Sequence, residues 1–204
     1  MKRKRAYSIR NILDAKFETL ELEGEWKEAI GTPELTGSWV IYGPPKNGKT
    51  SFAMLLSKYL TKFRRGAYNS IEEGVGLSIK MALKRLNMIE AGGKLVFINK
   101  EIGELIDYLS KHKSPDIVIM DSIQFMELTF KEYKKLKSMF PHKLFIYISH
   151  IEGRQPEGLA ARKIYKDANV VFKIDRFMAF PTSRYGGGKP IAIDEDKVAE
   201  LWGT

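Results

Sequence analysis

Residues Gly43-Pro44-Pro45-Lys46-Asn47-Gly48-Lys49-Thr50 follow the pattern G-x-x-x-x-G-K-T. This pattern restricts the fold tightly, because such a loop works only between a buried strand and the first turn of a helix. The flanks supply both. Ser38-Trp39-Val40-Ile41-Tyr42 is apolar and β-branched enough for a buried strand. From Thr50 to Phe63, apolar residues at Phe52, Ala53, Leu55, Leu56, Tyr59, Leu60 and Phe63 recur at the i, i+3, i+4, i+7 spacing of a helix laid on a sheet. Arg64 and Arg65 suit the negative end of that helix, and Gly66 suits the residue after it.

The residue types fit phosphate chemistry. Glycines at both ends let the backbone wrap a phosphate closely. The loop amides and the helix N-terminus then form one concave anion site. Lys49 can reach the β- and γ-phosphates as a point charge, and the Thr50 hydroxyl can ligate Mg²⁺. Gly43 through Ser51 are the expected contacts of a bound nucleotide, ATP with Mg²⁺.

At 204 residues, with 44% hydrophobic and 29% charged side chains, the chain has the size and balance of one globular domain. It has no cysteine, which removes disulfides, thiolate zinc sites and cysteine nucleophiles. No apolar run approaches the roughly 18 residues of a membrane span, and none follows the basic start as in a signal peptide. A cytoplasmic location without membrane contact is the expectation. Lys plus Arg number 34 against 25 acidic residues, a net charge of +9, and Lys2 to Arg5 supply four of the cations. Such an excess favours polyanionic partners, nucleic acid first.

Residues 1 to 35 form an N-terminal extension. Its Ile12, Leu13, Phe17, Leu20 and Leu22 could pack against the core or against a neighbouring subunit, before Gly31-Thr32-Pro33 breaks the chain. The nucleotide-binding domain then spans 36 to 204. Further strands are expected at 67–71, 95–98, 117–120 and 144–148, with helices at 75–88, 102–109 and 130–140. The strand at 67–71 is the most polar of these. Apolar strands alternating with helices predict an α/β fold, a mainly parallel sheet with helices on both faces. From about 169 the rhythm changes to antiparallel strands at 170–174, 177–180 and 190–193, the last two joined around Gly186-Gly187-Gly188.

Three more positions fall at carboxyl ends of strands, where ligands bind in such sheets. Asp121 can hold Mg²⁺ through a water opposite Thr50; a helix N-cap is the structural alternative. Glu72 or Glu73 can polarise an attacking water, or both can simply open a helix as solvated carboxylates. His150 can sense a γ-phosphate and pass its presence to residues 151–161, read as a mobile loop carrying Arg154, or it can be a satisfied structural histidine. Arg184 stands on the glycine-rich stretch Ser183-Arg184-Tyr185-Gly186 and could reach a neighbour's nucleotide; the alternative is a solvated charge.

Together these signals resemble the RecA-like P-loop ATPases, most closely the RadA and DnaB-type helicase branch, from about Gly37 to Ile193. Tyr68-Asn69-Ser70-Ile71-Glu72-Glu73 looks like the strand-plus-glutamate segment of RadA, which would make Glu72 the catalytic glutamate. Asp116 to Gln124 looks like the Walker B strand with its Asp-Ser-Ile-Gln continuation. Ser149-His150 matches the family's phosphate-sensing position, and Ala161 to Ile174, with Lys166 to Val171 at its centre, is similar to the helicase segment before its late strands. Ser183 to Gly186 resembles the Lys-x-Arg-x-Gly motif that acts across subunits, although Thr182 replaces its lysine. The resemblance places the strand ending in His150 between the P-loop and Walker B strands. It implies ATP hydrolysis by a homo-oligomer on DNA, single-stranded by preference, with a protein partner supplying a missing domain. The short stretch Phe125–Leu128 after Walker B leaves less to grip DNA than a recombinase has. Two other readings stand beside it: a nucleotide-dependent interaction module, kept open by Thr182, and a small-molecule kinase, for which no arginine-rich lid is visible.

Overall fold

The computed structural model describes residues 6–74 and 76–203, so the basic run Lys2–Arg5 lies outside the described residues. In chain order the elements begin with α1 (Ile9–Leu13), α2 (Gly24–Ile30), β1 (Gly37–Tyr42), α3 (Lys49–Leu60), β2 (Gly66–Ser70) and α4 (Leu77–Arg85). A 3-10 helix (Met88–Lys94), β3 (Leu95–Ile98), α5 (Ile102–Leu109), β4 (Ile117–Asp121), α6 (Phe130–Met139) and β5 (Leu144–Ser149) follow. Then come β6 (Ile151–Glu152), β7 (Gln155–Pro156), α7 (Leu159–Asp167), β8 (Val170–Asp175), β9 (Met178–Ser183), β10 (Ile191–Ala192) and α8 (Glu195–Trp202).

Eight strands make one sheet in the order β10-β9-β8-β1-β5-β4-β2-β3. The six from β8 to β3 run parallel, and β9 and β10 add antiparallel strands at one edge. As expected, β5 lies between β1 and β4. The polar β2 is buried along its whole length and flanked by β3 and β4.

Because strand side chains alternate, β1 feeds two cores. Trp39 and Ile41 join Phe52, Leu56 and Leu60 of α3 on one face. Val40 and Tyr42 join Leu105 and Leu109 of α5, Tyr133 and Leu136 of α6 and Ile164 of α7 on the other. Both faces of the sheet are therefore dry, which is what holds the parallel strands and aligns their carboxyl ends.

The N-terminal segment divides in two. Leu20, Leu22, Trp26, Ala29 and Ile30 are buried in the α3-side core, and the Trp26 ring stacks on Tyr59 at 5.2 Å. By contrast α1 buries none of its residues, and Ile12, Leu13 and Phe17 are exposed. The end of α2 also fastens the glycine-rich stretch: Gly188 N–H donates to the Ala29 carbonyl at 2.8 Å, and Ser183 Oγ to that of Ile30 at 2.8 Å.

Residues 151–161, expected as a loop, form the two-stranded β6–β7 hairpin and then enter α7. Gly158, at φ 84°, allows the helix to start at once. The apolar stripe of α7 is thin: Ala161 and Ile164 are its buried residues, which is why the helical period is faint there. The closing helix α8 is equally sparse, with Val198 buried.

Candidate active site

The P-loop leaves β1 and passes against β8. A side chain at Gly43 would place its Cβ 2.2 Å from the Ile174 carbonyl oxygen, so the backbone approach demands glycine. At Gly48, φ is 98° and a Cβ would stand 3.0 Å from the Phe177 ring. Asn47 braces the loop from outside. Its Nδ2 donates to the Pro45 carbonyl at 2.9 Å, and its Oδ1 accepts from Arg176 N–H at 2.7 Å.

Lys49 opens α3 and is 9% exposed. Its Nζ donates to the Pro44 carbonyl at 2.8 Å, which parks the charge inside the loop's curve. Burial pulls the ammonium below its ordinary range, while Glu72 and Asp121 oppose that shift.

Asp121 ends β4 beside Ser70 of β2, and Tyr68 Oη donates to its Oδ2 at 2.7 Å. Burial pushes the carboxyl up to about 6; the Tyr68 hydrogen bond opposes this, Glu72 and Glu73 add to it, and Lys49 opposes it. The Ser70 and Ser122 hydroxyls are buried with no hydrogen-bond partner among the described residues. Glu72 follows β2 and is tied to the end of β4, since the Asp121 carbonyl accepts from the N–H groups of Ile71 at 3.0 Å and Glu72 at 3.3 Å. His150 Nε2 lies 3.4 Å from Glu72 Oε2, too poorly directed for a hydrogen bond, so this buried nitrogen is unpartnered among the described residues.

Lys46, Lys49, Thr50, Ser51, Glu72, Glu73, Asp121 and His150 thus border one cleft of about 440 Å³. Three further residues reach it that sequence reasoning missed. Arg85 of α4 donates to Ser51 Oγ at 3.1 Å. Lys197 of α8 lies 4.2 Å from the centre of the Phe177 ring, and both border the cleft. Helix position alone does not foretell such contacts; tertiary packing makes them. A larger, mainly apolar groove of about 1000 Å³ lies elsewhere, between α4, the 3-10 helix and β3, and contains none of these groups.

Arg184 is not in the cleft. It follows β9 where that strand pairs with the start of β8, and its N–H donates to the Asn169 carbonyl at 3.1 Å. That is the amino end of the parallel strands, the length of β1 away from the P-loop. Within one chain it cannot reach the cleft. Arg154 is exposed in the turn between β6 and β7.

The donor set suits Mg²⁺ rather than a metal caged by protein. Among the described residues no group of three or more His, Asp and Glu could hold an ion. A hydroxyl, one carboxylate acting through water, and phosphate oxygens are the usual Mg²⁺ partners. The crowding of Asp121, Glu72 and Glu73, with two unpartnered serine hydroxyls beside them, leaves charge and hydrogen-bonding capacity for such an ion.

The fold has counterparts among solved structures. The flagellar accessory protein FlaH from Methanocaldococcus jannaschii superposes with a TM-score of 0.61 at 16% identity, over 85% of this chain and 92% of that one. A KaiC-like protein from the hyperthermophilic archaeon Pyrococcus horikoshii gives 0.57 at 16% identity, over 78% and 84%. The fold is RecA-like. No protein-family model matches the sequence, and no curated protein matches it. The RecA-like core expected from the motifs therefore stands, whereas kinship with the RadA and DnaB branch gains nothing from these two neighbours. Among the described residues no helix is long and apolar enough to cross a membrane.

Proposed function

We propose that the chain binds MgATP in this cleft and hydrolyses it to ADP and phosphate. The observation that carries the reading is the meeting of Lys49, Thr50, Glu72, Asp121 and His150 in one cleft, although they are spread over a hundred residues of sequence. The P-loop amides and Lys49 hold the phosphates. Mg²⁺, held by Thr50 and through water by Asp121, would neutralise phosphate charge. A water opposite the β,γ-bridging oxygen attacks the γ-phosphorus; the new P–O bond forms as the bond to the bridging oxygen breaks. Glu72 takes the water's proton, and ADP leaves with the bridging oxygen. His150, unpartnered beside Glu72, would donate to a γ-phosphate oxygen.

In the finer reading the protein is a cytoplasmic, self-assembling ATPase of the RadA and DnaB type acting on single-stranded DNA. The excess of basic residues supports this, as does Arg154 at the tip of a hairpin that starts one residue after His150. A protein partner would add DNA-gripping surface. Arg184, displaced from its own cleft, serves a neighbour's site. The test is ATP hydrolysis against protein concentration, with and without single-stranded DNA, at two salt concentrations. Stimulation by DNA that fades with salt is expected. Arg184→Ala should lower turnover tenfold or more in concentrated protein and leave dilute protein unchanged. Activity indifferent to DNA and to concentration would refute the finer reading and leave ATP hydrolysis standing.

A further inference from the structure

Gln124 lies in the turn after β4, part of the Asp-Ser-Ile-Gln continuation of Walker B, and has no role in the chemistry above. Its half-buried amide is fully used. Nε2 donates to Ser149 Oγ at 2.9 Å and to the Glu157 carbonyl at 2.9 Å, while Oε1 accepts from His150 N–H at 3.2 Å. One side chain therefore grips the last residue of β5, the first residue after it, and the chain just beyond β7.

These bonds are not needed to make the hairpin. Its strands pair Ile151 with Pro156 and Glu152 with Gln155, and Glu157 N–H donates to the His150 carbonyl at 3.0 Å. What Gln124 adds is a link from both hairpin ends to the turn after Walker B. That turn is itself docked on β5, where Ile123 N–H donates to the Ile148 carbonyl at 2.9 Å. His150 presents its backbone to Gln124 and its imidazole to Glu72. Movement of the hairpin as a body must then either break the amide's bonds or carry His150 with it.

We infer that Gln124 is a positioning residue that fixes His150 beside Glu72 and makes the β6–β7 hairpin respond to the nucleotide. This rests on the cleft being a nucleotide site. Arg154, exposed at the hairpin tip, offers a readout independent of turnover, namely tryptic cleavage after it. In the wild-type protein a non-hydrolysable ATP analogue with Mg²⁺ should change that cleavage rate severalfold. Gln124→Met keeps the length and loses every hydrogen bond. It should bind a fluorescent ATP analogue within twofold of wild type, lose about tenfold or more in turnover, and cleave at a rate indifferent to nucleotide. Gln124→Glu keeps the acceptor for His150 N–H but sets a carboxylate oxygen against the Glu157 carbonyl. It should retain more turnover than the methionine variant while losing the cleavage response, and it carries the test if the methionine variant fails to melt cooperatively. Wild-type turnover together with wild-type nucleotide-dependent cleavage in either folded variant would overturn the inference. So would cleavage of the wild-type protein that ignores a bound analogue. Failure of the wild-type protein to bind the fluorescent analogue would instead remove the nucleotide site itself.

Discussion

The two ends of the parallel sheet are both rich in polar groups and treat them in opposite ways. At the amino end Tyr133 Oη donates to Asp167 and is hydrogen-bonded to Ser38 Oγ at 3.1 Å, and Lys137 Nζ reaches the same carboxylate at 2.7 Å. Lys143, 3% exposed, donates to Ser114 Oγ at 3.0 Å and to the Pro115 carbonyl at 2.7 Å. Burial would raise the Asp167 carboxyl, but the hydrogen bonds from Lys137 and Tyr133 outweigh it and hold the group below its ordinary range. At the carboxyl end Asp121 is pushed up to about 6, and Ser70, Ser122 and His150 keep unpartnered buried atoms. A satisfied network stabilises the fold; an unsatisfied, like-charged one stores capacity for a ligand. Trp39 Nε1 and Tyr147 Oη are also unpartnered among the described residues, so what sets the carboxyl end apart is the crowding of Asp121, Glu72 and Glu73 around the unpartnered atoms.

The largest way to break the comparison is at Lys49. Lys49→Ala removes the buried cation that interacts with Glu72 and Asp121, and turnover should fall about a hundred- to a thousandfold, measured as phosphate release. An equal loss from Lys143→Ala at the other end would contradict the contrast.

Asp121→Asn comes next, and its sign is opposite to that of most core substitutions. The folded carboxyl titrates near 6 against an ordinary 3.8, so the native state binds the proton more tightly. Ionisation therefore costs stability: the penalty is absent below pH 3.8, grows between 3.8 and 6, and is complete above 6. Without metal, Asp121→Asn should stabilise the protein at pH 8 by up to about 3 kcal/mol and give nothing at pH 3.5, by denaturant titration. Stabilisation by MgATP should shrink in the same variant.

Tyr133→Phe sharpens the comparison from the other side. Losing the bonds to Ser38 and Asp167 should cost about 1–2 kcal/mol of stability and leave turnover within twofold. A turnover loss larger than that would give the amino end a part in the chemistry.

Much of this contrast was legible in the sequence at one end and little at the other. The motif makes Lys49 legible, and strand periodicity puts Glu72, Asp121 and His150 at carboxyl ends, which a parallel sheet gathers together. Arg85 and Lys197 were not found, because a cation on the last turn of one helix or the first turn of another carries no mark of what it faces. The Tyr68–Asp121 bond was hidden for a similar reason: it spans 53 residues and depends on the register of β2 against β4. The hairpin and the first turn of α7 read as one loop in the sequence, because Gly153, Pro156 and Gly158 mask a two-residue ladder and the start of a helix with a thin apolar stripe. Leu20 and Leu22 were seen as apolar, but only packing under α3 assigns them to the core.

The most direct test of the account is a paired measurement on Glu72→Gln: binding of a fluorescent ATP analogue and single-turnover hydrolysis with Mg²⁺. The amide keeps the side chain's shape and cannot take the water's proton. Affinity within threefold of wild type with hydrolysis slowed about a hundred- to ten-thousandfold is the predicted result. Hydrolysis at the wild-type rate in the variant would remove Glu72 from the reaction and contradict the assignment of the carboxyl end as this chain's catalytic centre.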